Sequence, residues 1–156
     1  MKRVLIVFAV FMLVSVPTHG VAKSLYLSDT ELRTEAQRGF EQILDLWREG
    51  KFAELYGRTR GSSQSREAFA ARLSVAPVRP ACCWEKMQDV SVRLQNDSTA
   101  VVKAKLGFEG KEGTSYHTGS FRLVKEEDVW SISRSDIFKL AGEGKKKNAR
   151  SGSRTR

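Results

Sequence analysis

The sequence predicts an α+β domain in which N-terminal helices pack across a curved antiparallel sheet. Between Leu32 and Trp47 apolar residues recur at steps of three and four, the period of a helix with one buried face. After Pro77 and Pro80 the pattern changes to alternation, the period of strands with one buried and one wetter face. Short polar connections join the alternating segments, which suits antiparallel hairpins and leaves no room for parallel crossovers. Helices first and strands afterwards is the α+β layout. The 156 residues fit one domain of ordinary size. A composition of 40% hydrophobic and 29% charged residues with three prolines excludes wholesale disorder, collagen-like chains and a disulfide scaffold.

The chain opens on a leader. Lys2 and Arg3 precede an apolar run from Val4 to Val16 broken only by Ser15, and Gly20 and Ala22 stand at the spacing a signal peptidase reads. As a helix rising about 1.5 Å per residue, this run of thirteen spans about 20 Å, short of the ~30 Å hydrocarbon core. Residues 1–22 therefore read as a cleaved signal peptide rather than an anchor. The mature protein is expected to be secreted or periplasmic, with no stable membrane insertion.

Each helix has its own local signal. Ser28-Asp29-Thr30-Glu31 is a capping-box pattern flanked by Leu27 and Leu32 at staple positions. The stripe that follows is Leu32, Ala36, Phe40, Ile43, Leu44 and Trp47, and Gly50 can end it with a left-handed residue. A shorter helix carries Phe52, Leu55 and Tyr56 on one face. Gly61-Ser62-Ser63 breaks it, and a third helix from about Ser65 turns Phe69 and Leu73 inward.

The strands follow in order. Val90, Val92 and Leu94 alternate with Asp89, Ser91 and Arg93, and Asn96-Asp97 supplies a turn. Ala100, Val102, Ala104, Leu106 and Phe108 form the inward set of the next strand. Gly110 to Gly113 makes a second connection, Ser115 to Val124 a third strand, Lys125 to Asp128 a third turn, and Val129 to about Leu140 a last strand.

The run from Ile43 to Tyr56, read as helix, Gly-centred turn and second short helix, resembles the opening of nuclear transport factor 2-like domains. The ending Asp128-Val129-Trp130-Ser131-Ile132 is similar to the last strand of that superfamily, so the resemblance covers about residues 28 to 141. It implies a cone-shaped fold with a cavity between helix and sheet, and an outer sheet face through which homodimers form. The superfamily hosts isomerases, dehydratases, cyclases, transport adaptors and binding proteins, so the fold does not name a function. Its ketosteroid isomerases use a carboxylate base in the cone. Here Asp89 lies on the face opposite Val90, Val92 and Leu94 and is expected to point to solvent.

The candidate pocket comes from the last strand. Alternation puts Trp130, Ile132, Arg134, Asp136 and Phe138 on one face, so Arg134 and Asp136 follow the two apolar residues toward the mouth. An inward Arg beside an Asp can hold a small polar or anionic ligand through the guanidinium fork. The plainer reading is an ion pair at the wet end of the cone. Tyr56 is the opposing wall. His117 shares a face with Phe121 and Leu123 and is either a rim residue or a base.

Cys82-Cys83 is a candidate redox feature with three open states. Adjacent Cα atoms lie ~3.8 Å apart, below the usual disulfide range of about 4.4–6.8 Å, which favours reduced thiols on opposite faces over a vicinal or an interchain bond. Zinc is not expected, because Cys82, Cys83 and His117 supply at most three ligands and neighbours do not converge on one metal. No phosphate loop, metalloprotease helix or dinucleotide fingerprint occurs, and no cofactor is expected. Asn96-Asp97-Ser98 matches the glycosylation acceptor pattern.

Three functions follow. The first is an exported non-catalytic domain binding a small ligand in the cone or a partner on the sheet. The second is an isomerase- or dehydratase-like enzyme with His117 or Asp136 as base. The third is a surface protein held to anionic polymer by a basic tail over 142–156. The net charge of +9 belongs mostly to the ends. Lys2 and Arg3 leave with the signal, and Lys145, Lys146, Lys147, Arg150, Arg154 and Arg156 face only Glu143 in the tail. The body from Lys23 to Ala141 is nearly balanced, so composition makes no case for nucleic acid as a partner.

Overall fold

The computed structural model describes residues 28–61 and 63–142, so the expected signal and all but the first residue of the expected tail lie outside the described residues. Helix α1 (Asp29–Arg48) starts at the capping box read from the sequence. The Glu31 N–H donates to Ser28 Oγ at 3.3 Å, and the Ser28 N–H donates back to Glu31 Oε2 at 2.7 Å. That hydrogen bonding, the Ser28 N–H first, lowers the Glu31 pKa. The helix ends at Glu49, and Gly50 takes the left-handed φ of 72° that lets the chain turn into α2 (Phe52–Gly57). A two-residue strand β1 (Thr59–Arg60) follows, then α3 (Arg66–Ser74), whose Ser65 side chain accepts from the Ala68 N–H.

The sheet comprises β1, β2 (Val78–Pro80), β3 (Met87–Asn96), β4 (Thr99–Gly110), β5 (Gly113–Glu126) and β6 (Val129–Ser133). Its order is β1-β6-β5-β4-β2, with β3 also paired to β4. The long β4 serves both: its end at Phe108 to Gly110 pairs with β2 and the rest with β3. The α+β class is as expected, helices packed on a curved, unclosed sheet. The sheet is mixed rather than wholly antiparallel, because β1 runs parallel to β6. Two residues carry no period, so the sequence held no sign of β1.

A second difference bears on the site. The last strand stops at Ser133, and Arg134–Leu140 form helix α4. Asp136 in its first turn and Lys139 in its last suit the helix dipole, and Ile137, Phe138 and Leu140 are buried at helical rather than alternate spacing.

The core lies between α1 and the inward face of the sheet. Phe40, Ile43 and Leu44 are fully buried, as are Ala100, Val102, Ala104 and Leu106 on β4, and Leu123 and Ile132 on their strands. Phe40 packs on Phe121 at 5.1 Å and Trp47 on Phe108 at 5.8 Å between ring centres. At the other end of the sheet Lys125 bonds Glu35 of α1 at 2.9 Å and Asp128 at 3.2 Å. Burial pulls the Lys125 pKa down, but these hydrogen bonds and charges outweigh it and the pKa is raised.

Two outcomes are expected. A Cβ added at Gly39 would lie 2.7 Å from the Trp130 Cβ, so Gly39→Ala should cost about 1–3 kcal/mol in urea unfolding. The Lys125 contribution is fully present below its unfolded pKa near 10.5 and is lost as pH rises through the raised folded value. A Lys125→Met variant should therefore show a smaller fall in stability than the parent when the pH is taken above about 10.5.

Candidate functional site

Register fixes which side chains face inward on β5. Ser115, His117, Gly119, Phe121 and Leu123 oppose Phe108, Leu106, Ala104, Val102 and Ala100 of β4. This row is buried at Leu123 and exposed at His117, so the concave face opens toward the Ser115 end. Helix α4 stands across the opening. Between them lies a cavity of about 560 Å³ with Phe108, Phe121, Val78 and Leu140 as apolar lining and His117, Asp136, Lys139 and Ser115 as polar groups.

The cavity depends on Gly119. A Cβ there would sit 2.8 Å from the tip of the Phe121 ring and 3.2 Å from His117 Nε2. The absent side chain is what lets the imidazole lie over the sheet beside Phe121. Across the opening Lys139 Nζ bonds Asp136 Oδ1 at 3.0 Å, one turn apart on α4. The arrangement offers an ammonium paired to a carboxylate, an imidazole and a hydroxyl above an apolar floor, a site for a small molecule with one polar end.

Of the residues read from the sequence, His117 and Asp136 are brought together here. Tyr56, Trp130 and Arg134 are not in the lining of this cavity, which corrects the pocket drawn from an extended last strand. With Arg134 at the start of α4, its side chain turns back to β1, where Nε donates to Thr59 Oγ1 at 3.0 Å. Its guanidinium lies 3.9 Å from the centre of the Tyr56 ring, and the Tyr56 hydroxyl donates to the Gln64 carbonyl. The buried Arg134 and the half-buried Tyr56 thus form a stack that joins α2, β1 and α4. Trp130 is buried on β6 against Gly39 of α1. Asp89 is exposed at a bulge of β3, its φ 52°.

The sequence reading missed Lys139, Ser115 and Gly119. The i, i+3 pair Asp136 and Lys139 becomes visible once 134–140 is read as a helix.

Cys82 and Cys83 are joined as a vicinal disulfide, so the preference for separate thiols is not what the structure shows. The Cys82 N–H donates to Glu109 at 3.2 Å, and Cys83 has a φ of 56° at the start of a short 3₁₀ turn, Cys83–Glu85. Among the described residues no group of three His, Cys, Asp or Glu could hold a metal ion. No helix among them is long and apolar enough to cross a membrane.

A second cavity of about 790 Å³ lies beside the end of α1, between Trp47, Phe52, Arg79 and Lys111. Three of its charges, Arg48, Arg79 and Glu109, are used within the fold. Glu109 takes Arg79 at 3.3 Å and Arg48 at 3.8 Å besides the Cys82 amide.

No family model matches the chain, and no curated protein matches it. Among solved structures it is similar to Aln2 from a Streptomyces species, at 16% identity over 74% of this chain and 98% of that one, with a TM-score of 0.47. It is similar to a Catenulispora acidiphila protein in complex with S-DNPA, at 15% identity over 71% and 98%, with a TM-score of 0.42. A chain whose name begins Rd1NTF2 aligns at 14% identity over 62% and 90%, with a TM-score of 0.43. None of these likenesses bears on what this chain binds.

The Arg134 stack separates stability from binding. Arg134→Ala should cost on the order of 2 kcal/mol in urea unfolding, from the lost charge-assisted hydrogen bond to Thr59 and the lost ring contact. Ligand affinity at the His117 cavity should stay within about twofold of the parent.

Proposed function

We propose that this chain is an exported, nuclear transport factor 2-like domain that binds a small polar or anionic ligand without transforming it. Residues 23–141 form the domain, followed by a basic tail over 142–156. The observation that carries the reading is the convergence of His117 and Lys139 over an apolar floor in one cavity of about 560 Å³. Lys139, shared with Asp136, and His117 offer donors to a polar or anionic end, and Phe108, Phe121 and Leu140 accept an apolar body. A two-fold contact through the outer sheet face would bring the exposed Lys103 and the half-buried Lys105 of each copy into the interface. The cavity lies on the opposite face, and its named lining comes from a single chain.

One observation favours a second reading, an isomerase- or dehydratase-like enzyme. Both candidate bases, His117 and Asp136, line the same cavity. Asp136 is held by Lys139, which leaves the imidazole as the base in this reading.

Anilinonaphthalene sulfonate, an apolar body with one anionic group, tests the binding site. It should bind one to one, about fivefold more weakly to Lys139→Glu and at least about threefold more weakly to Gly119→Ala, whose methyl enters the floor. Equal affinity for parent and both variants would place the probe elsewhere and defeat the proposal. The enzyme reading instead requires that a β,γ-unsaturated ketone be isomerised by the parent and not by His117→Ala.

A further inference from the structure

The outer face of the sheet has a chemistry that the near-neutral composition conceals. Opposed residues in a sheet share a face, so the register defines its rows. Arg93, Val101 and Arg122 form one row, Ser91, Lys103 and Ser120 the next, and Gln88, Lys105 and Thr118 a third. Four cations stand in these rows and no acid does. Rows recur at about 6.8 Å along a strand, and strands are about 4.8 Å apart, so Arg93 and Arg122 start about 10 Å apart with the two lysines on the strand between them. Among the described residues no ion pair engages Arg93, Lys103, Lys105 or Arg122, whereas acids elsewhere, such as Glu35, Asp45 and Glu109, are each matched to a cation.

The face ends in exposed aromatic surface. Tyr116 pairs with Gly107 in the following row and is 45% exposed, with Lys105 Nζ 4.5 Å from its ring centre. Gly107 points outward, and a Cβ there would meet the Glu85 carbonyl. The turn Cys83–Glu85 therefore rests on the outer face, tied by the Tyr116 hydroxyl, which donates to Glu85 at 3.0 Å. Trp84 at the centre of that turn is 73% exposed.

We propose that this face binds an acidic polysaccharide, its carboxylates on Arg93, Lys103, Lys105 and Arg122 and a sugar ring on Trp84. Charge complementarity selects an anion, and the spread of cations over two row steps, about 14 Å, selects a chain over a single small ion. Small hydroxyl residues between the cations keep the surface flat and supply hydrogen bonds to sugar hydroxyls. Single-stranded nucleic acid is served by aromatic platforms interleaved with cations. Here the aromatics stand at one end only. A lipid surface is served by apolar side chains among the cations, and these rows hold only the half-buried Val101.

The test uses the full chain with its tail intact, and polygalacturonate as the probe, with salt varied between about 50 and about 200 mM. The parent should bind, with affinity falling steeply as salt rises. The variant Arg93→Gln, Lys103→Gln, Lys105→Gln, Arg122→Gln should bind at least about tenfold more weakly and with a shallower salt dependence. Trp84→Ala should weaken binding several-fold and leave the salt dependence unchanged. All four substituted positions lie on the surface, and an unchanged thermal transition will show that the variants are folded. A fourfold variant that binds as tightly as the parent would assign the polymer to another surface and overturn the proposal. So would a parent that binds oligodeoxythymidylate at least about tenfold more tightly than polygalacturonate, or one that binds only phosphatidylglycerol vesicles.

Discussion

The close approach of helix α1 to β6, at Gly39 against Trp130, positions the rest of the domain. Only a residue without a Cβ lets the helix lie this near the indole. The contact brings the stripe of Phe40, Ile43 and Leu44 down onto the inward face of β4 and β5, where alternation has already gathered Ala100, Val102, Ala104 and Leu106. Small residues on β4 opposite large ones on the helix fill the layer, as close packing requires. One turn before Gly39 on α1, Glu35 takes Lys125 and ties the helix to β5 as well.

Seating the helix at one end of the sheet leaves the other end open. Beyond Phe121 the inward row of β5 passes Gly119 and His117 into solvent, and α4 covers it only in part. The same strands present two unlike surfaces. Inward they are apolar and end in a cavity with mixed polar groups; outward they carry cations separated by hydroxyl residues. Strand alternation makes this division automatic, because each step of one residue moves a side chain to the opposite face.

The first helix was fully legible: the capping box, the apolar stripe and the left-handed Gly50 are each set by residues within a few positions of one another. The hairpins were legible for the same reason, and Asn96 accepts from the Ser98 N–H in the expected turn. The error at 134–140 was local in form and tertiary in cause. Arg134 and Asp136 continue the alternation of Trp130 and Ile132, and nothing in seven residues says which period governs. Burial of Ile137, Phe138 and Leu140, with Phe138 set edge-on to Phe69 of α3 at 5.5 Å, selects the helix. With the helix, Arg134 turns away from Asp136 and out of the cavity lining. His117 and Asp136 both line one cavity, and Asp136 reaches it from a helix rather than from an extended strand.

Sequence alone determined what neighbouring residues decide: the helix starts, the turns, the strand faces and the small net charge of the body. Only the tertiary structure decided what depends on distant segments meeting. It paired β1 with β6, turned Arg134 onto Tyr56, and set His117 across from Lys139. It also sorted the charges, seating acids such as Glu35, Asp45 and Glu109 against cations of other elements while Arg93, Lys103, Lys105 and Arg122 share one open face. Composition sums charge over the chain, whereas a binding surface depends on where strand register puts it.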